Sequence, residues 1–267
     1  MNKRYKTIFL VSIIFMSLFV IAYISCSKYI VSQRLPHGAV IRVFPAGGMN
    51  NHKVIVLCPG GAYKSLARWQ EGYMWVPFFH KLGYTIAVLE YRMPNHDYNS
   101  PRIDGEEAIA YLRNQSDKWF YAKNKIGIMG FSAGGHLAST MLVAENDSLR
   151  PDFGILLYPV VSMSKELCHL VTHDMLMGAD SSENIEKQLS NELHITNKTP
   201  PVFIAVSSND QIVTPLNSMC FYEEMKRKQR SAIIKIYPTG GHGWGYRTSF
   251  PYHDELLGDL SKWLEKF

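Results

Sequence analysis

The sequence predicts an α/β domain built on a mostly parallel sheet covered by helices on both faces. Three observations carry that prediction. After residue 35, short β-rich runs alternate with amphipathic helical stretches. Several of the β-rich runs, such as VIVLC and YTIAVLEY, are apolar throughout, as strands buried on both faces are. No linker, internal repeat or low-complexity tract divides the region, and at 267 residues one large α/β domain fits the length.

In chain order, Ala39–Phe44 and Lys53–Cys58 read as strands and Gln70–Leu82 as a helix. Tyr84–Tyr91 is a strand, Arg102–Gln115 a helix, and Lys125–Met129 a short buried strand running into a helix from Ser132 to about Ala144. Phe153–Tyr158, Val202–Val206 and Ile233–Tyr237 supply three more strands. Helices follow the last two, at about Leu216–Lys228 and His253–Phe267. Ser162–Pro200 breaks the rhythm, being polar and weakly periodic. An insertion there is expected either as a lid or substrate wall over the strand ends, or as a peripheral helical decoration.

Composition narrows the class of partner. Hydrophobic residues make up 46% and charged residues 19%, which suits a folded globular chain. The formal charge is +5, but Lys3, Arg4 and Lys6 stand in a leader that holds no acid. Without those three, 25 basic residues face 23 acidic ones. No basic stripe or Arg-rich helix is present, so no nucleic acid is expected as a partner. In the leader, MNKRYK precedes an uncharged apolar run from Thr7 to Ser25, then Cys26-Ser27-Lys28. Residues 1–26 are thus expected to be a signal peptide or membrane anchor, and 27–267 a single folded domain. The stretch AYISC ending at Cys26 resembles a bacterial lipobox, with Tyr23 where a small aliphatic residue is usual. Export to the periplasm or cell envelope is expected, with lipid attachment at Cys26 or a helical tether as the two forms of membrane attachment. Cys58, Cys168 and Cys220 show no C-x-x-C spacing and read as buried thiols.

Four motifs carry chemistry. Gly130-Phe131-Ser132-Ala133-Gly134 is a G-x-S-x-G between a strand and a helix. A sharp turn there exposes the Ser132 hydroxyl near a helix N-terminus, with Gly130 and Gly134 removing Cβ atoms that would collide across the turn. The positive end of the helix favours developing negative charge, and the Ala133 N–H becomes an oxyanion donor. Upstream, VIVLC ends in Pro59-Gly60-Gly61-Ala62-Tyr63. A Gly-rich turn in that place offers the N–H groups of Gly61 and Ala62, although Pro59 stands where an H-G-G-G motif has histidine. Gly240-Gly241-His242-Gly243-Trp244-Gly245 follows the last strand, where the base belongs in the order Ser, Asp, His. Between them, Asp210 is the one acid at a strand C-terminus. Asp174 and Asp180 fall in the insertion, and Asp152 precedes its strand. A helix cap before Thr214-Pro215 is the structural alternative for Asp210. His169-Leu170-Val171-Thr172-His173 has the i, i+4 spacing of a zinc helix, but Leu170 takes the place of the required Glu. No metal and no cofactor are expected, and the two histidines read as surface residues.

PGGAY at 59–63, EYRMPNHDY at 90–98, GFSAGGHLAS at 130–139, TPPVFIAVSSNDQIVTPLNS at 199–218 and YPTGGHGWG at 237–245 stand in one order. Together they resemble the carbohydrate-esterase branch of the α/β-hydrolases: acetyl-xylan and feruloyl esterases of gut bacteria and similar lipase/esterase-like proteins. The resemblance runs from about Val54 to the C-terminus. It implies a triad of Ser132, Asp210 and His242, with Gly61, Ala62 and Ala133 as oxyanion donors. It implies an acetyl or small aromatic ester on a plant-type polysaccharide or oligosaccharide as substrate. Tyr63, Trp69 and Trp244 are candidates for stacking on sugar rings. The sequence departs from the family where Asn209 replaces the first of two adjacent aspartates, and where Thr172-His173 replaces a Ser-Arg pair. The rival readings are a peptidase or small-ester lipase on the same fold and an inactive, membrane-tethered binding module.

Overall fold

A strand buried on both faces needs an apolar residue at every position, and Val54–Cys58 supplies one: all five are buried. Their side chains alternate between two cores. Val54, Val56 and Cys58 join one, and Ile55 and Leu57 the other. The computed structural model describes residues 30–47, 50–179 and 181–267. The expected leader and Asp180 lie outside them. Within them, no helix is long and apolar enough to cross a membrane.

Eight strands make one sheet: β1 (Val31–Arg34), β2 (Val40–Phe44), β3 (Val54–Cys58), β4 (Thr85–Glu90), β5 (Ile126–Phe131), β6 (Phe153–Leu157), β7 (Val202–Ser207) and β8 (Ala232–Tyr237). Their order across the sheet is β1-β2-β4-β3-β5-β6-β7-β8. From β4 to β8 the neighbours run parallel, while β1 and β2 are antiparallel additions at one edge. β1 lacks a sequence signal because it is a short, mostly exposed edge strand, with no core face to impose alternation.

Seven α-helices are described: α1 (Val76–Lys81), α2 (Asn99–Asn114), α3 (Ser132–Leu142), α4 (Leu170–Met177), α5 (Glu183–Leu189), α6 (Leu216–Arg227) and α7 (His253–Leu264). α2, α3 and α6 bury side chains in one core, α1 and α7 in the other. The helix expected over Gln70–Leu82 is shorter. A 3-10 turn at Tyr73–Trp75 precedes α1, because Pro77 has no N–H to donate and sits in the first turn of α1. Gly72 also packs where a Cβ would lie 2.5 Å from the Arg68 carbonyl oxygen.

The insertion between β6 and β7 is helical, comprising α4, α5 and a 3-10 turn at Asn191–His194. His173, expected at the surface, is fully buried there. Its Nδ1 meets Asp174 Oδ1 at 2.8 Å, and its Nε2 meets Glu186 Oε1 and Ser181 Oγ at 3.2 Å. Both ring nitrogens are therefore occupied by side chains of the insertion itself. Such pairing is what makes burial of an imidazole tolerable.

After β3 the chain crosses to β4 on one side and then to β5 on the other, so the strand order reverses between β3 and β5. Ligand sites of open α/β sheets form at such a reversal, beyond the strand C-termini. PGGAY leaves β3 there and Ser132 leaves β5, while Asp210 and His242 follow β7 and β8 on the same edge.

Leu57→Ala, in a fully buried strand, is expected to cost about 2–5 kcal/mol. Urea unfolding should show a lower midpoint at unchanged slope; an unchanged midpoint contradicts the packing described.

Candidate active site

β5 turns into α3 with no intervening loop. Phe131 is extended (φ −124°, ψ 129°), and Ser132 has φ 50°, a left-handed conformation that costs a non-glycine residue about 1–3 kcal/mol. A Cβ on Gly130 would lie 2.2 Å from the Gly134 carbonyl oxygen and 2.5 Å from the Ala138 Cβ, so this glycine permits the turn. Gly134 differs from the expectation. Its Cβ would meet the carbonyl oxygens of Cys58 at 2.0 Å and Pro59 at 2.4 Å. It therefore seats α3 against the end of β3 instead of relieving the turn itself.

The Pro59–Tyr63 turn packs directly on this elbow. A Cβ on Gly60 would stand 2.9 Å from the Ser132 Cβ. Ala62 and Tyr63 both take left-handed backbone, with φ 55° and 54°. Three side chains hold the turn in that shape. Tyr91 Oη donates to the Pro59 carbonyl at 2.6 Å, and Glu71 Oε2 accepts the Gly60 N–H at 2.8 Å. Tyr63 Oη meets His136 Nδ1 on α3 at 2.9 Å. His136 Nε2 lies 2.8 Å from the Leu189 carbonyl, which can only accept, so Nε2 carries the hydrogen and Tyr63 donates to Nδ1. Among the described residues, the N–H groups of Gly61, Ala62 and Ala133 are engaged by no other backbone or side-chain acceptor. Ala133 is in the first turn of α3, where an N–H has no intrahelical partner.

The structure brings Ser132, His242 and Asp210 into one hydrogen-bonded line. His242 Nε2 is 2.8 Å from Ser132 Oγ, and His242 Nδ1 is 2.7 Å from Asp210 Oδ2. An ionised Asp210 only accepts, so it holds the tautomer with hydrogen on Nδ1 and leaves Nε2 free to accept from Ser132. Asp210 Oδ1 takes the N–H groups of Ile212 at 2.9 Å and Val213 at 3.0 Å, so its side chain is oriented from both ends. Gly241 and Gly243 have φ 64° and 71°, which lets the chain bend sharply on either side of His242. Asn209 Oδ1 accepts the Gly241 N–H at 2.9 Å. A carboxylate would accept the same bond, so replacing the family's aspartate keeps this tie to the histidine loop.

Two of the three sugar-stacking candidates are corrected. Tyr63 is 1% exposed and Trp244 3%, so neither ring presents a face to a ligand. Tyr63 braces the Gly-rich turn, as described. Trp244 stacks on Phe250 at 4.3 Å and 9°, and its indole N–H donates to Ser207 Oγ at 3.2 Å. Trp69 is 67% exposed, edge-on to Tyr73 at 6.2 Å. His169, read from the sequence as a surface residue, is also corrected. It is half-buried ahead of α4, with Nδ1 2.8 Å from Thr172 Oγ1. Burial and the neighbouring His242 push its pKa down, against the attraction of Asp210, so it shares the electrostatic environment of the triad. Sequence reasoning missed Glu71 and Tyr158, since nothing in their local pattern marks them as part of the site.

Fold and site together define a domain of the α/β-hydrolase fold with a hydrogen-bonded Ser-His-Asp line at its sheet edge. The BD-FAE family model matches residues 43–165, from β2 to just past β6. An acetylxylan esterase of Xylanibacter ruminicola is 35% identical over 217 residues, which is 80% of this chain and 45% of that protein. Endo-1,4-beta-xylanase B of Butyrivibrio fibrisolvens is 29% identical over 71% of this chain and 32% of its own length. The chain thus spans less than half of these curated relatives. Among solved structures, an acetyl ester-xyloside bifunctional hydrolase from Caldicellulosiruptor lactoaceticus superposes with a TM-score of 0.81 at 29% identity, covering 86% of this chain and 89% of that one. These likenesses agree with the α/β-hydrolase fold that the sheet order and the elbow at Ser132 display.

The brace at His136 has a measurable pH signature. An ordinary histidine protonates near pH 6.5, whereas burial lowers His136 to about 4. Between those values the unfolded chain binds the proton and the folded chain does not. Stability is therefore expected to fall as pH drops from 6.5 towards 4, by up to about 3 kcal/mol. Unfolding free energy measured against pH should flatten over that window in His136→Gln; an unchanged slope would exclude His136 as its source.

Proposed function

We propose that this chain is an exported serine esterase that removes acetyl or small aromatic acyl groups from plant-type polysaccharides or their oligosaccharides. The observation that carries the reading is the line Ser132 Oγ, His242 Nε2, Nδ1 and Asp210 Oδ2, with links of 2.8 and 2.7 Å. Beside it stands a Gly-rich turn with uncommitted N–H groups. The carbohydrate part of the proposal draws support from the named activities of the acetylxylan esterase and the acetyl ester-xyloside hydrolase that the chain resembles.

The reaction runs as a two-step acyl transfer. Ser132 Oγ attacks the ester carbonyl while His242 Nε2 takes its proton, and Asp210 stabilises the imidazolium through Nδ1–H. Negative charge grows on the carbonyl oxygen, where the N–H of Ala133 and those of Gly61 and Ala62 receive it. The tetrahedral intermediate collapses by expelling the sugar alkoxide, which leaves as an alcohol with the proton from His242. Water activated by the same imidazole then attacks the acyl-enzyme. A second intermediate expels Ser132, which recovers its proton from His242, and the carboxylic acid is released. No step calls for a metal or cofactor.

The insertion brings His169 into the electrostatic reach of His242 and Asp210, so it is the wall that would meet the acyl group. Trp69, after the oxyanion turn, is the one remaining aromatic platform of the three for a sugar ring. The leader at residues 1–26 fits a polymer substrate met outside the cytoplasm, with membrane attachment through a lipid at Cys26 or the apolar run.

A fluorophosphonate probe is expected to label Ser132. Ser132→Ala should abolish labelling and lower turnover of p-nitrophenyl acetate about 10⁶-fold while remaining folded. Absence of labelling in the folded protein favours a binding module instead. Release of acetate and ferulate from native xylan, measured beside a peptide substrate, tests the carbohydrate assignment, and cleavage of the peptide alone would overturn it. Trp69→Ala should raise KM for an acetylated xylo-oligosaccharide about two- to tenfold, from the loss of one stacking contact, without changing p-nitrophenyl acetate turnover.

A further inference from the structure

Glu71 is a carboxylic acid with 3% exposure that the triad does not use. Its Oε2 accepts the Gly60 N–H at 2.8 Å, and its Oε1 accepts the Tyr158 hydroxyl at 2.9 Å. The Tyr158 oxygen in turn accepts the Gly245 N–H at 2.9 Å. An unbroken chain of three hydrogen bonds thus runs from the oxyanion turn to the loop that carries His242. Tyr158 follows β6 in a left-handed conformation (φ 39°), with its ring centroid 4.9 Å from that of His242 and 4.6 Å from that of Trp244, both edge-on. The same two loops are clasped a second time: the Tyr246 N–H donates to the Gln70 carbonyl at 2.9 Å. A Cβ on Gly245 would stand 2.5 Å from that same oxygen.

We propose that Glu71 and Tyr158 are positioning residues for acyl transfer: a buried strut that sets the oxyanion turn and the His242 loop at a fixed distance across Ser132. The inference rests on the serine-esterase reading. Its physical basis is that the two halves of the machinery leave the sheet on different strands, β3 and β8. The direct Tyr246–Gln70 bond joins the loops further along, whereas the strut reaches the Gly-rich turn itself at Gly60. Oxyanion donors and base must be correct together, because a displacement of 1 Å is enough to cost catalysis.

The hydrogen-bond pattern specifies an acceptor at both oxygens of residue 71. Gly60 and Tyr158 each bring a donor, and Tyr158 cannot turn its hydrogen away without facing the Gly245 N–H. Burial pushes the Glu71 carboxyl up, while the Gly60 and Tyr158 donors and then His242 and Arg247 pull it back. Glutamine offers one acceptor and one donor group, so Glu71→Gln leaves one of the two donors facing another donor. Tyr158→Phe removes the link to Glu71 and the acceptor for Gly245 at once. Either change leaves buried backbone or side-chain polar groups without partners.

The test uses the full chain, with p-nitrophenyl acetate turnover, fluorophosphonate labelling of Ser132 and thermal unfolding measured on each variant. Glu71→Gln and Tyr158→Phe should each lower kcat about tenfold or more, with KM within about twofold and labelling slowed in parallel. The double variant should be no slower than the worse single, because both break one strut. Glu71→Gln, which keeps one acceptor, should retain more activity than Glu71→Leu. If Glu71→Leu fails to fold, the Gln and Phe variants carry the test. Folded single variants with wild-type kcat overturn the strut, as do losses that multiply in the double variant or fall on KM alone. A wild-type chain that neither labels nor turns over substrate overturns the esterase reading and the strut with it. Normal wild-type labelling with unaffected variants removes the strut alone.

Discussion

The close approach of three backbone segments at the C-terminal edge of the sheet governs the rest of the structure. At Gly60, Gly130 and Gly134, an added Cβ would come within 3 Å of neighbouring backbone. There the end of β3, the end of β5 and the first turn of α3 share a space too small for side chains. That approach sets the first turn of α3 and the Gly-rich turn after β3 side by side next to Ser132. The apolar strands beneath are the rigid support that makes such closeness sustainable, since residues buried in two cores cannot shift without opening a cavity.

Around that point the polar groups form a tightly bonded set with distinct duties. Asp210 is held by two backbone N–H groups and spends its second oxygen on His242. Asn209 ties down the histidine loop one residue ahead of the base. Tyr91, Tyr63 and Glu71 each take one hydrogen-bonding group of, or behind, the Gly-rich turn. Satisfying buried polar atoms and orienting the reacting ones are here accomplished by the same bonds.

Strand–helix alternation, the elbow and the histidine loop were legible in the sequence because each has a local cause: period, a glycine at a tight turn, or chain order. Asp210 was legible because few acids stand at a strand end. Other features depend on partners far away in sequence. Tyr63 and Trp244 look like exposed platforms as residue types, but contacts with His136, 73 residues on, and with Phe250 bury them. His173 resembled a surface residue because its partners, Asp174 and Glu186, are acids that helical spacing does not single out. Glu71 lay inside a predicted helix and gave no sign of its role, since its bonds span 11 and 87 positions. The edge strand β1 has too little buried surface to leave a pattern.

The two bonds of His136 have a consequence for how new specificities arise on this scaffold. One ring nitrogen serves the Gly-rich turn through Tyr63, and the other serves the insertion through the Leu189 carbonyl. The insertion is thus wired to the turn packed on Ser132 and is not an interchangeable cassette. A transplanted loop that omits a carbonyl at that point strands a buried N–H, at about 1–3 kcal/mol, and frees the imidazole to change tautomer. In the other tautomer Nδ1 carries the hydrogen and no longer receives the Tyr63 hydroxyl. Diversification of the substrate wall would then proceed fastest at positions away from Leu189, with that single backbone oxygen retained as a fixed joint.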